Sequence, residues 1–310
     1  MTPKLLIDTD PGVDDALAIL MAHQHGHVCA LSVAAGNTGL DHTVRNACTL
    51  VDLLRSDTPV FAGCRQPLVR AADEDAVRVH GLDGFGDIDL PPPATRPGDE
   101  HAALAMIRMT REQPGSLTLV ALAPLTNVAL AVRLDPDFAS RVARLVVMGG
   151  AVNGHGNMHR STAEFNVGFD PEAAHVVFGA FEHFELVDWE LTVRHAFDET
   201  CFDRWLAADD KRADLFARIS GKSRRYNAER ERRGVIAADA LAMAVALEPG
   251  IVTRAETRKV AVELDGSLTR GMTVVDWEHR GEAVANARIA MELDHERFSR
   301  LVATALGASG

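Results

Sequence analysis

The run Leu5-Leu6-Ile7 ends in acid, breaks at Pro11-Gly12 and restarts as an amphipathic helix over about 14–25. Leu17, Leu20 and Met21 mark one side of that helix, and Gly26 marks its stop. The same alternation of short apolar run and longer helical period continues down the chain. It predicts strands at 28–34, 60–62, 117–122, 145–148, 184–187 and 287–293. Helices are predicted at 40–54, 101–111, 171–178, 240–247 and 296–306, with a short one opened by Ala123 to Asn127. Val260, Val262 and Leu264 alternate toward Asp265-Gly266 in the manner of a hairpin. The charged stretch 198–233 reads as helical, with Trp205, Leu206, Leu215, Phe216 and Ile219 inward. Strand and helix in turn imply an α/β fold, a mainly parallel central sheet with helices on both faces.

Between 63 and 98 the pattern fails in a segment rich in Pro, Gly and Asp, including His80-Gly81-Leu82-Asp83-Gly84-Phe85-Gly86-Asp87. Loops this long are functional or solvated excursions. No internal repeat or linker divides the chain, so 1–310 reads as one domain.

Composition narrows the function. Forty-four acids against 32 Lys+Arg leave a net charge of -12, which argues against a nucleic-acid polymer or an anionic membrane surface as partner. No apolar run has the length of a membrane span, and the start Met1-Thr2-Pro3-Lys4 lacks the pattern of a signal peptide. Cys29, Cys48, Cys64 and Cys201 are scattered without a CxxC pair, which points to a reducing cytoplasm.

Chemistry concentrates in Asp8-Thr9-Asp10-Pro11-Gly12-Val13-Asp14-Asp15. Alternation along the strand sends Asp8 and Asp10 to the same side, and Asp14 and Asp15 fall in the next helix's first turn. A helix cap needs one acid, whereas four converging carboxylates need a cation among them. With oxygen donors only, that cation is hard, calcium or magnesium.

The DTDPGVDD run resembles the amino-terminal signature of the calcium-dependent nucleoside N-ribohydrolases, the inosine-uridine-preferring group. Further matches follow in order: Ala35-Gly36-Asn37, Leu122-Ala123-Pro124-Leu125-Thr126-Asn127, Met148-Gly149-Gly150, Ala163-Glu164-Phe165-Asn166, Asp170-Pro171-Glu172-Ala173-Ala174, Asp239 and Gly271-Met272-Thr273-Val274. The resemblance implies an open Rossmann-like fold and hydrolysis of the N-glycosidic bond of ribonucleosides to free base and ribose. It implies Ca2+ held by Asp10, Asp15, Asp239 and the Leu122 carbonyl, orienting a water for which Asp10 is the general base. Asp14 and Asn37 would take the 2′- and 3′-hydroxyl side with Asn157 and Asp239 close by. Glu164 and Asn166 would take the 5′-hydroxyl, and Met148 would lie under the sugar. A homodimer or homotetramer is also implied.

One position departs from the family. Where the purine-and-pyrimidine-cleaving group has His before the last aspartate, and a purine-specific group Trp, this chain has Ala238. Either protonation of the departing base then falls to Tyr226 or to a loop histidine (His80, His155 or His159, all three expected at the surface), or the preferred base leaves without it. Two other readings exist. A nucleoside-binding homologue without turnover would explain Ala238. A haloacid-dehalogenase-type phosphatase would use Asp8-Thr9-Asp10 as nucleophile motif and Gly86-Asp87 as metal motif, although Pro11-Gly12 and the Asp14-Asp15 pair do not suit it.

Overall fold

The computed structural model describes residues 2–230, 234–281 and 284–309. Its strands are β1 (Lys4–Thr9), β2 (His27–Val33), β3 (Val60–Ala62), β4 (Thr118–Ala121), β5 (Arg144–Met148), β6 (Phe184–Val187), β7 (Val252–Arg258), β8 (Val260–Val262), β9 (Thr273–Val275) and β10 (Ala287–Leu293). Eight of them form one sheet in the order β3-β2-β1-β4-β5-β6-β10-β7. All pairs are parallel except β10 with β7. β8 and β9 form the expected hairpin-like antiparallel pair apart from it. The chain runs outward from β1 through β2 to β3, then returns to β4 on the other side of β1. That reversal opens a crevice at the carboxyl ends of β1 and β4, the usual ligand position in such sheets.

Helices cover both faces in this single-domain α/β fold. Leu5 and Ile7 of β1 enter one apolar core, and Leu6 enters the other. The Val13–His25 helix differs from its expected one-sided form. Between Asp15 and Ala22 every residue is buried, because it lies against the Ala238–Leu247, Lys211–Glu229 and His295–Ala305 helices. Leu17, Ile19, Leu20 and Met21 are fully enclosed, each contributing about 1.5–3 kcal/mol over exposure. That is of the size needed to hold its acidic first turn against the cost of burying carboxylates.

Other departures have local causes. Segment 63–98 contains one short helix, Val77–His80. The charged stretch breaks into Glu199–Leu206 and Lys211–Glu229, the second capped by Asp210, and positions 231–233 lie outside the described residues. β7 is an edge strand whose side chains are mostly half-exposed, so its sequence VTRAETR carries no apolar run. Short helices Phe165–Phe169 and Trp189–Arg194 start on Glu164 and Asp188, whose carboxylates accept backbone N–H groups of their first turns.

Candidate active site

The crevice is floored by carboxylates from both ends of the chain. β1 delivers Thr9 and Asp10, and the Pro11-Gly12 turn opens the helix bearing Asp14 and Asp15. Asp239 enters from the first turn of the Ala238–Leu247 helix. Two helix N-termini thus present their positive dipole ends to the acids. Carboxylate oxygens of Asp14, Asp15 and Asp239 come within 4.8 Å of one another.

Asp15 is the anchor. Its Oδ1 accepts from the Thr9 hydroxyl at 2.5 Å and the Asp10 N–H at 3.2 Å, and its Oδ2 accepts from the Gly12 N–H and Asn37 Nδ2, both at 3.0 Å. Asp10 is held on one side only. Its Oδ2 accepts the Asn37 N–H at 2.6 Å, while its buried Oδ1 has no hydrogen-bond partner among the described residues. Gly36 permits this approach, since a Cβ there would stand 2.1 Å from Asp10 Oδ2.

Burial, reinforced by mutual repulsion, pushes the Asp10 and Asp239 carboxyls well above the ordinary range. Asp15 also rises through burial and the neighbouring Asp14, against its hydrogen bonds. Desolvation lifts Asp14 to about 6. A buried carboxylate without a counter-charge costs several kcal/mol. The orphaned Asp10 oxygen and the oxygen-only cluster therefore fit a hard cation.

Asp8 does not join this group. It turns to the opposite face of β1 from Thr9, where its Oδ1 accepts from Ser32 Oγ at 2.7 Å and Asn127 Nδ2 at 2.9 Å. It is fully enclosed, and burial lifts its carboxyl to about 7. Four-way convergence within the motif is thus corrected: Asp239 supplies the carboxylate that Asp8 does not. An enclosed Asp8 is no phosphatase nucleophile, and Asp87 is taken by Lys222 at 2.5 Å.

Above the carboxylates opens a cavity of about 530 Å³. Asp14, Asn37, Leu122, Met148, Asn157, Glu164, Asn166 and Asp239 line it, while Asp10 and Asp15 lie buried beside it. Glu164 accepts the N–H groups of Gly150 at 2.8 Å, Asn166 at 2.9 Å and Val167 at 3.3 Å. Burial outweighs those donors and lifts it to about 7. Asn166 Nδ2 donates to the Leu122 carbonyl at 2.6 Å and contacts the Met148 carbonyl and Sδ at 3.2 and 3.3 Å. Asn157 Oδ1 receives the Phe165 N–H at 2.9 Å.

The cavity is also lined by Val13, Val79, Trp189, Phe216, Tyr226 and Ala238, with His80 beside Asp14. His80 is not a surface residue, being only 8% exposed. Its Nδ1 accepts the Val13 N–H at 3.0 Å, which leaves the proton on Nε2, 4.0 Å from Asp14 Oδ1. Burial pushes its pKa down to about 4, so it is a neutral donor. A Cβ on Gly12 would meet His80 Nδ1 at 2.6 Å, so the motif's glycine makes room for this ring. His155 and His159 are exposed as expected. The Arg230 guanidinium covers the Tyr226 ring, 3.7 Å from its centroid. Across the mouth, Arg160 pairs with Asp73 at 2.5 Å and the His159 N–H donates to Glu74 at 2.7 Å. Part of the irregular segment, between Asp73 and His80, therefore lines the cavity. Trp189, Phe216 and Arg78 were not legible beforehand, since nothing local marks an apolar or basic residue as cavity-facing.

Residues 5–300 match the family model of the inosine-uridine preferring nucleoside hydrolases. The inosine-uridine preferring nucleoside hydrolase of Leishmania major is 35% identical over all of this chain and 99% of its own length. The pyrimidine-specific ribonucleoside hydrolase RihA of Escherichia coli is 35% identical over 99% of each chain. Among solved structures, an inosine-guanosine nucleoside hydrolase superposes with a TM-score of 0.92 at 33% identity, covering 99% of this chain and 100% of the other. On the whole-chain match and the acidic cavity together, the chain belongs to the inosine-uridine preferring nucleoside hydrolase family and hydrolyses the N-glycosidic bond of ribonucleosides.

Proposed function

We propose that the cavity takes the ribose of a nucleoside against the carboxylate floor, with calcium held by Asp10, Asp15, Asp239 and the Leu122 carbonyl. The observation that carries this reading is the buried Oδ1 of Asp10, without a hydrogen-bond partner among the described residues, beside three clustered carboxylates. Calcium, when bound, supplies positive charge that neutralises this cluster and polarises an attacking water. Asp10 accepts the water's proton as the water oxygen bonds to the anomeric carbon and the bond to the base breaks. Positive charge building on the sugar is favoured by the surrounding carboxylates.

Asp14, Asn37 and Asp239 hold the 2′- and 3′-hydroxyls, with Asn157 near them. Asn37 spends both amide protons on Asp10 and Asp15, so its side-chain oxygen is left to accept a ribose hydroxyl. Glu164 and Asn166 hold the 5′-hydroxyl, and Met148 packs under the ring. The base lies among Val79, Phe216 and Ala238, where Tyr226 and the Nε2–H of His80 are the donors that assist its departure. The relatives' names span inosine, uridine, guanosine and pyrimidine substrates. We therefore assign a ribonucleoside substrate and no single base. Four free thiols support a reducing cytoplasm, and family membership supports a homodimer or homotetramer.

Ala238 favours one rival, a homologue that binds nucleosides without cleaving them. The test is ribose release from a panel of purine and pyrimidine ribonucleosides, with and without chelator. Chelator-sensitive ribose release supports the hydrolase. Tight calcium-dependent binding with no ribose from any member supports the rival.

A further inference from the structure

We propose that Thr9 is a positioning residue for the cation, its hydroxyl fixing the Asp15 carboxylate in the orientation that ligates; this rests on the calcium site proposed above. Thr9 closes β1, paired with Val33 of β2, and its carbonyl accepts the Ala34 N–H at 3.0 Å. Its backbone is therefore held by the sheet. Its side chain is fully enclosed, is not part of the cavity wall and points to the opposite face from Asp8. A buried hydroxyl is costly unless it bonds. The hydrogen bond described for this one goes to Asp15 Oδ1, at 2.5 Å.

Asp15 needs such a tether. It stands with Asp14 and Asp239 in a cluster of like charge, and that repulsion drives its carboxylate away from any shared ligand position. Four donors oppose this, the N–H groups of Asp10 and Gly12 and the side chains of Thr9 and Asn37. The two backbone donors come with the turn. Asn37 also bonds Asp10 and lines the cavity, so its loss would disturb several things at once. Thr9 touches the ligand and not the cavity, which makes its contribution separable. Partners that orient a metal ligand typically change metal affinity by about 10–100-fold when removed.

The test is calcium titration by calorimetry into chelator-stripped protein, wild type against Thr9→Val, Thr9→Ser and Thr9→Ala. Thr9→Val keeps the shape and deletes the donor, so its calcium Kd should rise by about 10–100-fold. Thr9→Ser keeps the hydroxyl and should stay close to wild type. Melting the same proteins with and without calcium separates positioning from plain structural support. Positioning shrinks the calcium-dependent rise in Tm, whereas a merely structural role lowers both melting points together. Should Thr9→Val not fold, Thr9→Ala against Thr9→Ser gives the same comparison. Wild-type affinity in the folded Val or Ala variant, or an equal loss in Thr9→Ser, overturns the proposal. A wild-type protein that binds no calcium overturns the calcium site itself, and Thr9's role with it.

Discussion

The two ends of the cavity are built from different material. At the proposed sugar end, most side chains hang from a strand terminus or a helix's first turn, and backbone donors fix Asp15 (two) and Glu164 (three), while Asn37 and Asn157 stand in loops. At the proposed base end, the lining comes from the short helix 77–80, one side of Lys211–Glu229 from Phe216 to Asn227 and the connection 235–237. Those segments mix apolar side chains such as Val79, Phe216 and Ile236 with polar ones such as Arg78, His80, Arg224 and Tyr226. In the proposed reading, chemistry common to every nucleoside sits on the strand ends and helix starts around β1. Discrimination between bases, in the same reading, falls to segments that stand apart from β1.

This division predicts which variants affect all substrates alike. Asp10→Asn should have the largest effect, reducing kcat by about 10²–10⁴-fold or more, since a general base of that worth is lost along with a cation ligand. The loss should be equal for nucleosides and for a nitrophenyl riboside, because both share the ribose. Dependence of the loss on the leaving group would break the comparison.

Tyr226→Phe belongs to the other end and should discriminate between substrates. Natural nucleosides should slow by about 10²-fold, within the range of a positioned general acid, while the nitrophenyl riboside, whose leaving group departs as a stable anion, barely changes. Equal slowing would make Tyr226 a wall of the pocket, and His80 would be the next residue to replace.

The smallest expected effect sharpens the sugar end. Asp14→Ala should penalise ribosides over 2′-deoxyribosides by about 1–3 kcal/mol, the cost of a hydrogen-bonding group left without its partner. Paired kcat/KM values on the two sugars check it, and equal losses would remove Asp14 from the 2′-hydroxyl. Asp239→Ala should weaken calcium and substrate binding together, measured by calorimetry; wild-type affinity for both would remove it from the floor.

How much was legible follows the same division. Asp10, Asp14 and Asp15 stand in one local motif, and the parallel sheet followed from its alternating apolar runs. Asp239 could be joined to them only through the family resemblance, because nothing local in its apolar helix shows which strand end it faces. Asp8 was misplaced because its partners Ser32 and Asn127 come from β2 and from the helix after β4. His80 was misread for the same kind of reason: a histidine in a loop looks solvated until the chain folds it onto the Val13 N–H. Strand β7 was missed because an edge strand needs no continuous apolar run.

The most direct test of the central claim, a cation-dependent hydrolytic centre at the sugar end, uses the substrate that needs no help at the base end. Chelator-stripped protein is given the nitrophenyl riboside while calcium is returned stepwise, and ribose release is compared with calorimetric calcium binding. The account predicts no turnover without calcium and recovery with a half-saturation equal to the calorimetric Kd. Undiminished hydrolysis by the stripped protein, or calcium binding without any return of turnover, would contradict it.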